Sequence, residues 1–213
     1  MKLMICTSNK KKFEELYSIL ESLKKDANLD LEFVSPSKEI EVEEYANTFL
    51  SNAYLKAKAY YDAFGIPTLA DDSGLVVEAL SDNLERPGVY SSRFYKDSFG
   101  SNILKEGDFK LSKDELNNLK VLRLLEKEEN RKAKFVSVVA IVLSKNYGIF
   151  GEGELKGSIA KEPSGNFGFG YDPIFIPEGY ATTLANIENK DKISHRRKAL
   201  EAVFFMLKKS VII

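Results

Sequence analysis

The sequence places two adjacent carboxylates, Asp71 and Asp72, at the end of an apolar stretch, where they have the clearest capacity for chemistry. Burying two carboxylates is costly unless a positive group lies near them. Neighbouring residues in a strand point to opposite faces, so we expect the two side chains to have different roles. One would face a cleft and suit Mg²⁺, which prefers oxygen ligands, while the other caps a turn or pairs with a basic group. The alternative is an Asp-Ser-Gly turn in which both carboxylates are solvated.

A second candidate is the segment TSNKKK, residues 7–12, which lies between a short apolar run and a helical pattern. Backbone N–H groups at such a turn, together with the helix dipole, favour an anion. Side-chain donors would come from Thr7, Ser8, Asn9, Lys10, Lys11 and Lys12. We expect only one of the three lysines to face a ligand. The alternative is a capped helix with solvated lysines, and the segment is not a P-loop because it lacks the glycines and the Gly-Lys-Ser/Thr ending.

The segment NFGFGYDPIF, residues 166–175, alternates glycine with aromatic rings and then reaches Asp172. Glycines at 165, 168 and 170 let the backbone approach a ligand closely. Phe169 has a ring that could stack on a nucleic base, an interaction worth about 1–3 kcal/mol in proteins that bind single strands. The alternative is a turn packed on the core.

Three further residues have two interpretations each. Glu39 lies in an acidic stretch that is either a solvated loop or the source of a second metal ligand. Arg93 either contacts phosphate or pairs with a carboxylate across a loop. His195, the only histidine, follows the plausible helix cap Ser194 and is either structural or a donor to a ligand.

Composition excludes several classes of protein. In the 213 residues, 31 Lys and Arg nearly balance 32 Asp and Glu, which argues against a protein that coats nucleic acid. The single cysteine, Cys6, excludes an intrachain disulfide and lies in an apolar run typical of the core. That run is too short for a signal peptide, and no stretch approaches the roughly 20 apolar residues that span a bilayer. We therefore expect a cytoplasmic protein without a membrane partner.

The elements that must position these residues alternate between strands and helices. Helical spacing predicts helices at Phe13–Leu23, 47–64 and from Ser112 and Ser194 onward, the third with a capping box to Glu115. Strands are predicted near 3–6, 29–33 and 67–80, the last broken by a turn at Ser73-Gly74, and as a hairpin turning at Lys145-Asn146. This order predicts an α/β fold with a mixed sheet flanked by helices, in one domain over residues 1–213.

Five segments together resemble the inosine triphosphate pyrophosphatase family, which removes damaged purine nucleotides such as ITP, dITP and XTP. In the family's order they are TSNKKK, ADDSGL, PGVYSSRF, GNFGFGYDPIF and NKDKISHRRKAL, running from residue 7 to about 200. The resemblance implies a mixed central sheet flanked by helices, in two lobes around a substrate cleft, and a homodimer. It also implies hydrolysis of a nucleoside triphosphate to the monophosphate and pyrophosphate with Mg²⁺.

The resemblance also implies roles for individual residues. Asp72 would be the general base and a metal ligand, and Glu39 the second metal carboxylate. Residues 7–12 would bind the triphosphate, Phe169 to Asp172 would stack on the base, and His195 with Arg196 would read the 6-oxo group of the purine. The full set of implied substrate contacts is Thr7, Ser8, Asn9, Lys10, Lys11, Lys12, Ser73, Phe169, Gly170, Tyr171, Asp172, Lys190, His195 and Arg196. One departure is Ser92, where many members have alanine.

Two other functions fit part of this pattern. A nucleotide-binding sensor would bind without hydrolysis, and a phosphatase would release single phosphate from the γ-position. Asp72 argues against the sensor, because a carboxylate near the α-phosphate repels the ligand unless a metal is present.

Overall fold

The computed structural model describes residues 1–211, with side chains through residue 208. The longer helices are α1 (Lys10–Ala27), α2 (Phe49–Phe64), α3 (Lys113–Leu124) and α4 (His195–Val211). The strands are β1 (Lys2–Cys6), β2 (Glu32–Val34), β3 (Thr68–Val77), β4 (Lys132–Ser144), β5 (Tyr147–Ile159) and β6 (Phe175–Pro177). Short 3₁₀ turns fill much of the stretch between β3 and α3. Within the described residues, no helix combines the length and apolar composition that crossing a bilayer requires.

The strands form one mixed sheet in the order β2-β1-β3-β4-β5-β6. β1 pairs in parallel with β2 and β3, whereas β5 and β6 are antiparallel. β4 and β5 are neighbours joined only by Lys145 and Asn146, a connection too short for parallel strands. The predicted α/β fold with a mixed sheet and flanking helices is therefore confirmed, and so is the predicted hairpin.

The chain divides into two compact units, the first of which contains the N-terminus. The first unit comprises Met1–Asp72, Ser137–Glu154 and the C-terminal segment from Asp191. The second unit comprises Ser73–Val136 and Leu155–Lys190. The single domain over residues 1–213 and the cleft between two lobes stay predictions.

The core of the first unit forms because α1 and α4 bury apolar faces against β1, β3 and β4. Leu16, Leu20, Val203 and Phe204 are among the buried members of this cluster. On α4 this cluster includes Leu200, Val203, Phe204 and Leu207. A second cluster packs α2 through Ala53 and Ala57 against Cys6 and Ala70.

Helix ends follow the local chemistry of the sequence. The side chain of Asn9 accepts the Lys12 N–H at the start of α1, and that of Thr48 accepts the Ser51 N–H at the start of α2. α2 ends at Gly65, which adopts the left-handed conformation. The capping box of α3, between Ser112 and Glu115, is also confirmed.

One prediction about β3 is wrong. The strand runs without interruption from Thr68 to Val77 and has no turn at Ser73-Gly74. Just past the expected turn, the Leu75 N–H donates to Ser91 Oγ at 2.9 Å, so this backbone group is satisfied in the extended conformation. The Asp-Ser-Gly sequence therefore does not act as a turn here, because its carboxylates find partners within the fold.

The start of α4 lies directly on β5 at Gly153. A Cβ added to Gly153 would lie 2.2 Å from the His195 carbonyl oxygen and 2.4 Å from the Ala199 nitrogen. Both atoms are backbone, so they cannot move aside as a flexible side chain could. The absence of a side chain at Gly153 therefore allows the close distance between the start of α4 and β5.

We expect Gly153→Ala to lower the free energy of unfolding by about 3 kcal/mol, because overpacking forces α4 away from β5. Gly107→Ala is the matched control, since a Cβ there meets no atom within 4 Å. Urea denaturation of both variants measures the difference. Equal effects of the two substitutions would show that the contact of α4 with β5 is not tight.

Candidate active site

Asp71 is completely buried in the first unit and is surrounded by positive groups. Its Oδ1 lies 3.1 Å from Lys12 Nζ, and its Oδ2 lies 3.5 Å from Arg196 Nε. Ser137 Oγ donates to Oδ2 at 3.4 Å. Burial by itself would raise the pKa of Asp71, but the charges of Lys12, Arg196 and Lys56 outweigh it and hold this pKa well below its ordinary range. The ionised side chain of Asp71 therefore joins α1 and α4 to β3 through ion pairs.

Asp72 lies in a different environment, as the alternation of strand side chains predicts. Only 7% of it is exposed, and Asn52 Nδ2 donates to its Oδ2 at 3.1 Å. Burial raises its pKa to about 6; the charges of Lys12 and Lys56 oppose this rise, while Glu44 and Asp71 add to it. The interpretation in which both aspartates are solvated is wrong. A carboxylate with a pKa near neutrality can accept a proton and is suited to general-base chemistry.

Polar residues of α2 hold Asp72 in place. Asn52 uses its whole amide, because it also donates to the Ala46 carbonyl at 3.2 Å and accepts the Ala46 N–H at 3.0 Å. One turn later, Lys56 Nζ lies 2.7 Å from Glu44 Oε1 and donates to the Asp71 carbonyl at 3.3 Å. Burial would lower the pKa of Lys56, but Glu44 outweighs burial and raises it.

A cavity of about 470 Å³ lies beside these residues in the first unit. Its lining includes Thr7 and Ser8 from the lysine-rich segment, Lys56, and the acidic stretch before α2. Glu39 and Glu44 both line this cavity, but only Glu44 is among the charges that shift the pKa of Asp72. Tyr60 fixes the acidic stretch, since its hydroxyl accepts the Ile40 N–H at 2.9 Å and donates to the Ile40 carbonyl at 3.2 Å. Of the two glutamates, Glu44 is thus the one whose charge helps to raise the pKa of Asp72.

The lysine-rich segment forms the cap and first turn of α1, so the three lysines are helical. Thr7 Oγ1 accepts the Asn9 N–H at 3.2 Å, which shapes the turn ahead of the cap. Lys10 is exposed and lies near Glu14, and Lys11 is exposed as well. Lys12 is the one that points inward, with 15% of its side chain exposed. The expectation that only one of the three lysines faces a ligand stays a prediction, and Lys12 is the candidate because it alone pairs with the buried Asp71.

The second unit holds the glycine-aromatic loop. Phe169 N–H donates to Asp172 Oδ2 at 2.9 Å, and Lys190 Nζ lies 3.1 Å from the same oxygen. Lys190 also lies over the Phe169 ring, 5.0 Å from its centroid. Tyr171 is buried and its hydroxyl donates to the Ser91 carbonyl at 2.7 Å. Phe169, Asp172 and Lys190, which the sequence placed in one binding role, are therefore brought together.

His195 and Arg196 begin α4 and are both buried. Arg196 Nη1 donates to Glu15 Oε2 at 3.0 Å, in addition to its ion pair with Asp71. Ser194 Oγ accepts the Arg197 N–H at 3.1 Å, so Ser194 caps the helix as predicted. Arg93 is exposed and lies 5.1 Å from the centroid of the Tyr90 ring. Cys6 is buried and its pKa is raised by burial to about 12, which excludes it as a nucleophile at neutral pH.

Sequence reasoning missed Glu15, Asn52 and Lys56, which shape this site, and preferred Glu39 to Glu44 among the acids of the stretch before α2. A signal for two of them existed. Asn52 and Lys56 are polar residues four apart, directly beside the buried Ala53 and Ala57 on α2. Polar groups that border the apolar face of a helix at this spacing lie on one side of it and are candidates for buried contacts. Glu44 gave no such signal, because it is one of several acids in an irregular stretch.

Comparison with known proteins identifies close relatives. Residues 3–205 match the Ham1 family. A protein of Hydrogenobaculum sp. strain Y04AAS1 named dITP/XTP pyrophosphatase is 92% identical over 98% of this chain and 99% of its own length. A protein of the same name from Aquifex aeolicus is 50% identical over 98% of this chain and 97% of its own. The solved structure of a HAM1 protein from Coxiella burnetii is 33% identical, covers 98% and 99% of the two chains, and superposes with a TM-score of 0.79.

We expect Asp72→Asn to stabilise the metal-free protein above pH 6. Folding raises the pKa of Asp72 from 3.8 to about 6, so the free energy of unfolding falls as the pH rises between those values. The total decrease is roughly 3 kcal/mol. The variant lacks that ionisation, so its free energy of unfolding should match wild type near pH 4 and exceed it by up to that amount at pH 8. Urea denaturation in EDTA at several pH values measures the free energy of unfolding of the wild type and of the variant.

Asp71→Asn is the matched control with the opposite sign. The depressed pKa of Asp71 contributes stability above the ordinary aspartate range, and this contribution is lost only as pH falls. Removing its charge leaves Lys12 and Arg196 without that partner, so we expect a loss of about 3–5 kcal/mol at pH 8. The same loss in both variants would show that the two carboxylates do not differ in environment.

Proposed function

The chain belongs to the Ham1 family, and from that premise and the geometry around Asp72 we propose that it hydrolyses dITP, ITP and XTP to the monophosphate and pyrophosphate. The single observation that supports this most is the buried carboxylate of Asp72, whose pKa of about 6 suits a general base. The two relatives described above are named dITP/XTP pyrophosphatases, and the chain matches nearly their whole length. Removal of such nucleotides would keep them out of the pool used for nucleic-acid synthesis.

In the proposed reaction Asp72 positions a water molecule and takes its proton. The water oxygen attacks the α-phosphorus, and the bond from that phosphorus to the bridging oxygen of pyrophosphate breaks. Asn52 donates to Asp72 Oδ2 and would help to orient the carboxylate that acts on the water. General-base catalysis of this kind contributes about 10²–10⁴ in rate. Lys12, Lys56 and the N-terminal turn of α1 would bind the triphosphate and stabilise the charge on the leaving group.

We propose that Mg²⁺ is bound by Asp72 and Glu44 together with substrate phosphates. The donor set fits this ion, because Mg²⁺ is usually held by one or two carboxylates and phosphate oxygens rather than by a complete protein site. In the described part of the chain, no three His, Cys, Asp or Glu side chains form a complete site. The bound ion would neutralise charge on the phosphates. Glu39 stays a predicted second ligand, but Glu44 is favoured by its effect on the pKa of Asp72.

Base recognition would use the loop around Phe169 and the start of α4. Phe169 would stack on the purine, and Lys190 would contact the substrate near it. His195 and Arg196 would donate to the 6-oxo group, Arg196 from a guanidinium already oriented by Glu15 and Asp71. Adenine presents a donor at this position, so two buried donors would face each other at a cost of about 1–3 kcal/mol each. The remaining implied contacts, at residues 7–11, Ser73 and 170–172, a homodimer and a cytoplasmic location stay predictions.

We expect dITP with Mg²⁺ to give dIMP and pyrophosphate, and EDTA to abolish the reaction. Separation of the products by ion-exchange chromatography measures this, with ITP, XTP, dGTP and dATP in the same panel. Release of dIDP and orthophosphate would favour a γ-phosphatase. Binding without turnover would favour a nucleotide sensor.

We expect Asp72→Asn to lose at least about a hundredfold in kcat while it still binds dITP, because the variant keeps the fold but has no base. Pyrophosphate release measures kcat, and calorimetry measures binding. The control is Asp62→Asn on the exposed side of α2, where the carboxylate only pairs with Lys58. Near-normal turnover in Asp72→Asn would remove Asp72 from the mechanism.

A further inference from the structure

The loop proposed to bind the base has an unusual backbone on both sides of Phe169. Gly168 and Gly170 both have positive φ, +81° and +63°. Glycine reaches this region freely, but it also has more conformations to lose than any other residue when it is ordered. A segment in which an aromatic residue lies between two such glycines needs contacts from outside to hold one conformation.

Part of that constraint comes from within the loop. Asp172 Oδ2 accepts the Phe169 N–H, and a Cβ added to Gly168 would lie 2.0 Å from the same oxygen. The Gly168 side of Phe169 is therefore closely packed against Asp172. The Gly170 side is open, because a Cβ added there would meet no atom within 4 Å. Space for a Cβ means that packing does not fix Gly170, so its conformation depends on hydrogen bonds.

Those hydrogen bonds come from helix α3. Gly170 N–H donates to Asp114 Oδ2 at 2.9 Å, and the Gly170 carbonyl accepts from Asn118 Nδ2 at 3.1 Å. Asp114 and Asn118 are four residues apart, so they lie on one face of the helix one turn from each other. Both backbone polar groups of Gly170 are thus bonded by α3. This backbone was expected to contact substrate directly, and in the structure it is bonded to the protein.

Other polar side chains of α3 hold a neighbouring loop. Asn117 accepts the Tyr95 N–H at 2.7 Å and donates to the Ser92 carbonyl at 3.4 Å. Lys120 is fully buried and donates to the carbonyls of Phe94 and Asp97 at 2.9 and 2.7 Å. Burial lowers the pKa of this lysine. α3 therefore buries Leu116 and Val121 and also uses buried polar side chains to bond to loop backbone.

Asn118 shows that this arrangement is not optimised for stability alone. Its side chain is buried, and its Oδ1 has no hydrogen-bond partner among the described residues. A buried acceptor without a partner is unfavourable. Turning the amide over would place its oxygen against the Gly170 carbonyl and lose the donor. The observed orientation keeps the hydrogen bond from Nδ2 to the Gly170 carbonyl and leaves Oδ1 without a hydrogen bond among the described residues.

We propose that Asp114 and Asn118 are positioning residues for base recognition, which hold the Gly170 peptide and thereby keep Phe169 in the conformation that stacks on a purine. The inference rests on the proposed function of this loop. If the bonds to α3 are lost, the loop spends less time in the competent conformation, and the apparent affinity for the nucleotide falls by that fraction. The chemistry at Asp72 does not depend on these bonds, so kcat should be preserved.

The test compares Asp114→Ala and Asn118→Ala with two further variants. Asp114→Asn keeps an oxygen that can accept the Gly170 N–H and should restore most of the function. Glu115→Ala disturbs the capping box at the start of the same helix without touching the loop, because its carboxylate bonds to Ser112. A merely structural role of the helix start predicts equal effects of Asp114→Ala and Glu115→Ala.

For Asp114→Ala and Asn118→Ala we expect KM for dITP to rise about tenfold with kcat within twofold of wild type. Inorganic tripolyphosphate, which has no base, should inhibit all variants with an unchanged inhibition constant. Hydrogen exchange of the peptide that covers residues 166–172 should accelerate in the two alanine variants and not in Glu115→Ala.

Three outcomes would overturn the proposal: an unchanged KM, a weaker binding of tripolyphosphate in parallel with dITP, or unchanged exchange of the loop. The proposed function fails separately. A wild-type protein that releases no pyrophosphate from dITP refutes it, and the base-recognition role with it. A wild-type protein that does so, with Asp114→Ala indistinguishable from it, refutes only the role of α3.

Discussion

The buried charge of Asp71 is the constraint on which the first unit depends. An isolated carboxylate in a fully buried position would be protonated, and here three basic side chains keep it ionised. Two of them, Lys12 and Arg196, begin α1 and α4, so one carboxylate fixes where both helices start relative to β3. Glu15 completes the arrangement by pairing with Arg196. Asp71 therefore fixes the first turns of α1 and α4. These turns carry the candidate residues for phosphate binding and for recognition of the base.

The adjacent residues Asp71 and Asp72 have pKa values that shift in opposite directions. Asp71 faces the basic groups and its pKa falls, whereas Asp72 faces Asn52 and its pKa rises. The same dipeptide thus supplies one carboxylate that is always charged and one that titrates near neutrality. This difference follows from the two-residue period of a strand, since each face of the sheet presents its own surroundings. It also explains why the pair tolerates burial without a turn to solvent.

The sequence predicted the helices and strands and many candidate site residues, but it did not predict all of the side chains that these residues contact. Periodicity located the four helices, and cap chemistry placed the starts of α3 and α4, because both depend on neighbouring residues. It failed at Ser73-Gly74, where the local preference for a turn yields to the pairing of a buried strand. Glu44, Glu15 and Asn118 were missed because their roles depend on long-range contacts, with separations of 12 to 181 residues.

The buried position of Cys6 gives the protein an inert thiol. Its burial in β1 and its raised pKa keep it from reacting with oxidants or alkylating reagents while the fold is intact. The sequence also contains no tryptophan. A cysteine or an indole introduced at the surface would therefore be a unique reporter, and a reaction at Cys6 itself would mark molecules in which β1 has opened.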